Sequence, residues 1–230
     1  MITSPIILSP FRRVVEGISM PAEYDDGNTF MRFLWSDPAY RTVVGGIVQE
    51  WIDVRGSGRK LTNTTPANGG KLEADCIRFI AAETRALRLR VTMAAPTMLY
   101  LVVRPDAWST DRILDGGLSS VPFAGWASTP NYYFGPSGAQ ITGFSISIGD
   151  WHIIRARIDG ANSYVQVDNG AKVTGDMLTT SLGGITLAAR YNLAQNWSDV
   201  SYKDVMVRQI SESDATAQKF YDYLKAYHGI

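Results

Sequence analysis

The chain has 230 residues, and its 22 Lys and Arg balance 22 Asp and Glu, so the formal net charge is zero. That balance argues against a broad phosphate-binding surface, and hence against a nucleic-acid partner, which would need a net basic stripe. A single cysteine, Cys76, excludes an internal disulfide framework, and no apolar run approaches the ~20 residues of a membrane-spanning helix.

The N-terminal "MITSPIILSPFRR" lacks a basic start and is interrupted by Pro5 and Pro10, so no signal peptide is expected. Prolines at 5, 10 and 21 and the acidic "EYDDGN" mark residues 1–34 as an extended arm or docking segment. From Trp35 onward, short apolar or alternating runs are separated by Gly, Asn, Asp and Pro. "GIVQEWID", "CIRFIA", "ALRLRVT", "TMLYLVVRP", "RILDGG", "NYYFG", "GFSISIG", "GITLAAR" and "VSYKDVMVRQI" all read as strands. "RGSGRK" around Lys60 is a hairpin turn, since its spacing does not fit a phosphate loop. Cys76, inside "CIRFI", reads as a small buried hydrophobe. Arg88 and Arg90 share one strand face opposite Leu87 and Leu89, which suits a solvated face and leaves room for a local basic patch.

Residues 149–170, "GDWHIIRARIDGANSYVQVDNG", predict two alternating strands joined at Asp159-Gly160 and closed at Asn169-Gly170. Ile154, Ala156 and Ile158 fall on one face with His152, and Arg155 and Arg157 on the other, the period of a half-buried strand. With Phe144–Ile148 upstream, the expectation is a three-stranded antiparallel meander. At the C-terminus, Ala217, Phe220, Tyr221, Leu224 and Tyr227 recur at helical spacing. The helix is expected over 212–228, with Ser211 and Asp214 as a capping arrangement and Gly229 closing it. The whole pattern predicts an all-β, two-sheet antiparallel jelly-roll sandwich with one C-terminal amphipathic helix.

The 149–170 segment resembles the signature of laminin-G-like domains of the concanavalin A-like lectin/glucanase superfamily, in which a Trp-His pair begins a strand and a D/N-G turn ends the hairpin. "GGIVQEWIDVRGSGRKLTNTTPANGG" and "GGITLAAR" look like that family's early and late segments. The closing "VSYKDVMVRQISESDATAQKFYDYLKAYHGI" is similar to the end of such domains in bacteriophage structural proteins. The resemblance covers residues 35–230 and implies a concanavalin A-like jelly roll, with 1–34 docking it to other virion proteins or to copies of itself. It says little about activity, since this fold hosts lectins, glycanases and adhesion modules alike.

Superfamily glucanases carry alternating carboxylates as Glu-x-Asp-x-(x)-Glu. Here Glu73 and Asp75 are followed by Arg78 in the third position, and Glu50 and Asp53 would face opposite sides of a strand. Ser137 is not in a Gly-x-Ser-x-Gly elbow. With His152 and His228 the only histidines, no His-rich metal centre is expected. Asp168, Asn169 and Asp199 could offer oxygens to calcium, but turn chemistry accounts for the first two. No catalytic residue, metal or cofactor is therefore expected.

Two segments combine aromatic faces with amides, as a sugar site does. One contributes Trp126, Asn131, Tyr132 and Tyr133, the other Tyr191, Asn192, Asn196 and Trp197. The same aromatics would serve a sandwich edge or a subunit interface. The leading expectation is a non-enzymatic virion component of a bacteriophage, a capsid decoration or a tail or fibre part, with a lectin-like adhesion domain for host glycans. It would be made in the host cytoplasm and assembled in several copies. The alternatives are a stand-alone carbohydrate-binding module and, third, a glycan hydrolase.

Overall fold

The computed structural model describes residues 19–126, 128–178 and 180–230; most of the expected arm, residues 1–18, lies outside the described residues. The first strands are β1 (Thr29–Leu34), β2 (Arg41–Val44), β3 (Ile47–Ile52), β4 (Lys60–Thr62), β5 (Gly70–Leu72), β6 (Ile77–Phe79), β7 (Leu87–Arg90) and β8 (Thr97–Pro105). Next come β9 (Arg112–Gly116), β10 (Phe123–Gly125), β11 (Asn131–Phe134), β12 (Ile141–Ser145), β13 (His152–Ile158), β14 (Ser163–Val167), β15 (Val173–Gly175), β16 (Gly184–Leu187) and β17 (Val200–Arg208). The helix α1 (Asp214–His228) follows. The protein is mostly β, antiparallel, with one C-terminal helix.

Pairing runs β15–β14–β13–β8–β17. The outer edge of the long β17 is then shared: β6 lies along Val200–Tyr202 and β1 along Asp204–Arg208. From β6 the ladder continues through β5 to β3, then β4–β7–β16–β9–β10–β11–β12, with β2 on the other edge of β3. Hydrogen bonding thus joins the strands into one curled network, and the two distinct sheets expected from the sequence are not separate in pairing.

A large apolar cluster lies inside the curl. Leu99, Leu101 and Val103 of β8, Ile154 and Ala156 of β13, and Val205 and Val207 of β17 meet Trp51, Leu87, Leu114, Phe123, Ile185 and Leu187 there. The alternate residues Met98, Tyr100, Val102, Ile153 and Met206 turn outward and meet Ala217, Phe220, Tyr221 and Leu224 of α1. Strands covered on both faces read as continuous apolar runs, which is why "TMLYLVV" shows no alternation. Each fully buried large side chain here contributes roughly 1.5–3 kcal/mol.

Four expectations change. Thr29–Leu34 is a core strand, not arm: Met31 and Phe33 are fully buried because β1 fills the free half of the β17 edge. The helix starts at Asp214 with Ser213, not Ser211, as its cap: Ser213 Oγ accepts from Thr216 N at 3.1 Å, while Ser211 Oγ donates to Asp159 Oδ2. Gly229, at φ +67°, closes the helix as expected. The meander reduces to the β13–β14 hairpin, since β12 pairs with β11 and Gly149 N bonds instead to Pro105 O. Arg155 is buried, not solvated, because α1 covers its face; its guanidinium lies 4.6 Å from the Tyr221 ring centroid. Cys76 is buried, and burial pushes its thiol up to about 11. Among the described residues no helix is long and apolar enough to cross a membrane.

Candidate functional site

The face of β2, β3, β4, β7, β16 and β9 turned away from the large cluster carries a polar row. Thr42, Glu50, Thr62, Arg88, Thr186 and Asp115 are successive cross-strand partners and so share one face. The row ends at a bulge: Phe123 of β10 faces Leu114, but Ala124 faces Arg112, leaving Ile113 as an extra residue. The extra residue resets the alternation, so Arg112 and Asp115, three apart, both leave the core side. Arg112 Nε stands 3.5 Å from Asp115 Oδ2.

Asp115 anchors the surrounding loops. Its carboxylate accepts from the backbone N–H of Gly116 (2.8 Å), Val121 (2.6 Å) and Tyr191 (3.2 Å). Burial pushes this carboxyl above its ordinary value, against the pull of those donors and of Arg112. Arg112 ties the two aromatic segments together: Nη1 donates to Tyr133 Oη at 2.6 Å, and its backbone N–H donates to Asn196 O at 3.2 Å. Asn196 Nδ2 donates to Asp111 Oδ1 at 3.2 Å. Gly125 lets the loop between β8 and β9 close in, since a Cβ there would meet Ser109 O at 2.0 Å.

Most of the sequence-predicted residues gather here. Trp126 is 44% exposed and meets the Tyr133 ring edge-to-face at 5.3 Å. Tyr191 is half-buried, and its carbonyl accepts from Arg88 Nη1 at 2.6 Å. Asn192 is exposed and accepts from Ala194 N, and Trp197 is half-buried in the same loop. Asn131 opens β11, its Oδ1 accepting from Ser145 Oγ at 3.2 Å. Two of them are covered: Tyr133, against Trp126, is 9% exposed, and Tyr132, on the core side, is 1% exposed. Alternation along β11 sends it into the core beside Phe123, where burial pushes its phenol up to about 12, so it cannot reach a ligand. Arg112, missed in the sequence, is the residue that joins the segments; the adjacent apolar pair in "RILDGG" was the available sign of a bulge.

A concave region of about 430 Å³ elsewhere is lined by Phe144, Ser147, His152, Asp168 and Val173. His152 Nδ1 is 2.8 Å from Asp168 Oδ2 and Nε2 is 2.9 Å from Ser147 Oγ, a serine–histidine–aspartate series. Ser147 donates its own proton to Asp150 Oδ2 at 2.9 Å, so its hydroxyl is turned from the imidazole and the series is a latch on the hairpin. Burial opposes the imidazolium, but Asp168, the Ser147 carbonyl and Asp150 outweigh it and hold the His152 pKa above its ordinary value. Its stabilisation is therefore fully present below the unfolded value of about 6.5 and lost as pH rises through the folded value. Wild type should exceed His152→Gln in urea midpoint at pH 6, with the gap shrinking toward pH 8; a pH-independent gap would contradict the latch.

Glu50 and Asp53 face opposite ways, as expected: Asp53 is fully buried and accepts from Arg32 N and Arg55 N, while Glu50 pairs with Lys60 at 3.0 Å. Asp75 pairs with Lys203 at 3.3 Å. Among the described residues no three His, Cys, Asp or Glu are grouped to hold a metal.

No family model and no curated protein matches the chain. Solved structures do. A Trypanosoma rangeli sialidase in complex with sialic acid aligns at TM-score 0.59 and 11% identity over 84% of this chain, which spans only 32% of the sialidase chain. Domain 4 of AbnA, a GH43 extracellular arabinanase from Geobacillus stearothermophilus, in complex with arabinotriose, aligns at 0.55 and 11%, over 84% of this chain and 97% of that one. The binding domain of Botulinum neurotoxin DC in complex with SialylT aligns at 0.55 and 10%, over 86% and 51%. At these identities the likeness is one of fold.

Proposed function

We propose that this chain is a non-enzymatic carbohydrate-binding module whose ligand lies between the Trp126–Tyr133 pair and the 188–198 loop. The observation that carries this reading is the convergence of the two aromatic and amide segments on Arg112. Trp126 offers an exposed ring for sugar C–H surfaces, and Asn192 and the Arg112 edge offer polar groups to hydroxyls. Two of the similar structures are complexes, one with arabinotriose and one with SialylT, and the first of these is a single domain spanned almost whole by the present fold. The finer architecture we favour is a concanavalin A-like, laminin-G-like jelly roll, supported by the Trp151–His152 and Asp168–Gly170 signature.

We place the module in a bacteriophage virion, as capsid decoration or as a tail or fibre part, on the resemblance of its C-terminal segment. Mass spectrometry of purified particles would find the chain there; its presence only in host lysate would remove this part. For binding, a glycan array is the test, with wild type against Trp126→Ala/Asn192→Ala. Both side chains are exposed, so the variant should fold normally and lose at least tenfold in affinity, as expected for a stacking contact worth about 1–3 kcal/mol and one hydrogen bond. Unchanged binding in the variant would move the ligand elsewhere.

A further inference from the structure

The helix α1 ends on a buried charge cluster. Arg32 of β1 and Asp204 of β17 are diagonal neighbours across the strand pair. Arg32 Nε lies 3.0 and 3.1 Å from the two carboxylate oxygens, and Nη2 donates to the same group. His228, the last residue of α1, is the third member, with Nε2 3.2 Å from Asp204 Oδ2. All three side chains are 3% exposed or less. The rings of Tyr24, Tyr223 and Tyr227 stand 5.5 to 5.8 Å from the Arg32 guanidinium, and Tyr227 also meets the imidazole edge-to-face at 4.8 Å.

One carboxylate here faces one permanent cation, so the cluster is neutral only while His228 is neutral. A carboxylate accepts, so Nε2 carries the imidazole proton. A second proton, on Nδ1, would make a water-excluded site net positive. Burial foremost, with Arg32 and with Lys203, which pairs with Asp75 at 3.3 Å, holds the His228 pKa below its ordinary value against the pull of Asp204. A helix C-terminus favours a cation, but that effect is small beside the burial of a charge. Burial opposes the Asp204 carboxylate too, yet Arg32 and His228 hold its pKa below the ordinary value, so the imidazole takes the proton first. The rest of α1 is held independently, by the Ser213 cap and the buried Ala217, Phe220 and Leu224. Its last turn adds only the Tyr227 Oη contact to Ser36 Oγ at 3.0 Å and the half-buried Ile230.

We propose that His228 is an acid-sensitive catch: on protonation the last turn of α1, residues 225–230, lifts from β1 and β17 and uncovers Tyr223 and Arg32 while the rest of the fold persists. Docking is complete above the unfolded value of about 6.5 and is lost as pH falls from there toward the folded value. Helix ends are the low-stability part of a fold, so release of one turn needs far less than global unfolding.

The test is amide hydrogen exchange of the full chain between about pH 7.5 and about pH 5, corrected for the intrinsic pH dependence of exchange, with the His228 ring protons titrated by NMR alongside. Amides 226–230 should lose about tenfold or more in protection, the effect of a one-unit depression of the pKa, while those of β8 and β17 keep theirs. The His228→Gln variant keeps an N–H for Asp204 but cannot take up the proton, so its last turn should stay protected throughout. His152→Gln, which removes the other histidine, should behave as wild type. Protection of 226–230 that is independent of pH in wild type, or that falls equally in His228→Gln, would overturn the proposal. So would a His228 titration midpoint at or above about 6.5, whether or not the variant folds.

Discussion

Deleting residues 1–34 is expected to abolish cooperative folding. The cut removes β1, and with it the fully buried Met31 and Phe33, the latter 6.0 Å from the Trp51 ring. It also strips the edge of β17 along Asp204–Arg208, leaving backbone donors and acceptors unpaired beside the core. Arg32 contributes three further ties: its N–H donates to Asp53 Oδ1 (2.9 Å), its carbonyl accepts from Val54 N, and its guanidinium pairs with the buried Asp204. Phe33→Ala alone should cost about 3–5 kcal/mol. Circular dichroism and urea unfolding would report the loss; a truncated chain with a cooperative transition would show β1 to be dispensable.

Arg208→Ala should destabilise the protein by about 3–5 kcal/mol, the cost of leaving a buried charge without its partner. Arg208 is fully buried and bonds through all three of its nitrogens: Nε to Glu212, Nη1 to Glu23 O and Thr29 Oγ1, and Nη2 to Asp26 Oδ2 at 2.8 Å. It joins the entry to β1, the end of β17 and the approach to α1. Glu212, which also accepts from Tyr100, would keep a buried carboxylate with no cation. Burial already raises the Glu212 pKa against the pull of Tyr100 and Arg208, and removing the arginine should raise it further. The deficit of the variant should therefore narrow as pH falls and Glu212 takes up a proton. A loss under 1 kcal/mol in urea, or one independent of pH, would contradict this assignment.

Legibility in the sequence followed strand length and environment. The long β8 and β17, and the helix with its Gly229 stop, carry enough residues to show their pattern, and "TMLYLVVRP" matches β8 from end to end. Strands of three residues, such as β4, β5, β10 and β15, offer no period to read. β1 was lost behind the prolines and acidic turn before it. At the candidate site, residue types singled out Trp126, Tyr133 and Asn196, but pairing decided that Tyr132 enters the core while Tyr133 turns to the opposite face against Trp126. Arg112 depended on a bulge, which is a property of two strands together. Arg155 depended on α1, some sixty residues later, to cover its face.

A glycan seated beside Trp126 and the 188–198 loop would alter the surroundings of that indole. The most direct measurement is a titration followed by the indole N–H resonances of the six tryptophans, using the strongest ligand from the array. Trp51 is fully buried in the core, and Trp151 lies on the helix side, against Lys203 and Arg104, so both serve as internal references. Saturable shifts are expected at Trp126 while those of Trp51 and Trp151 stay still. Saturation with Trp126 unmoved, or with the shifts confined to Trp151, would contradict a glycan seated there.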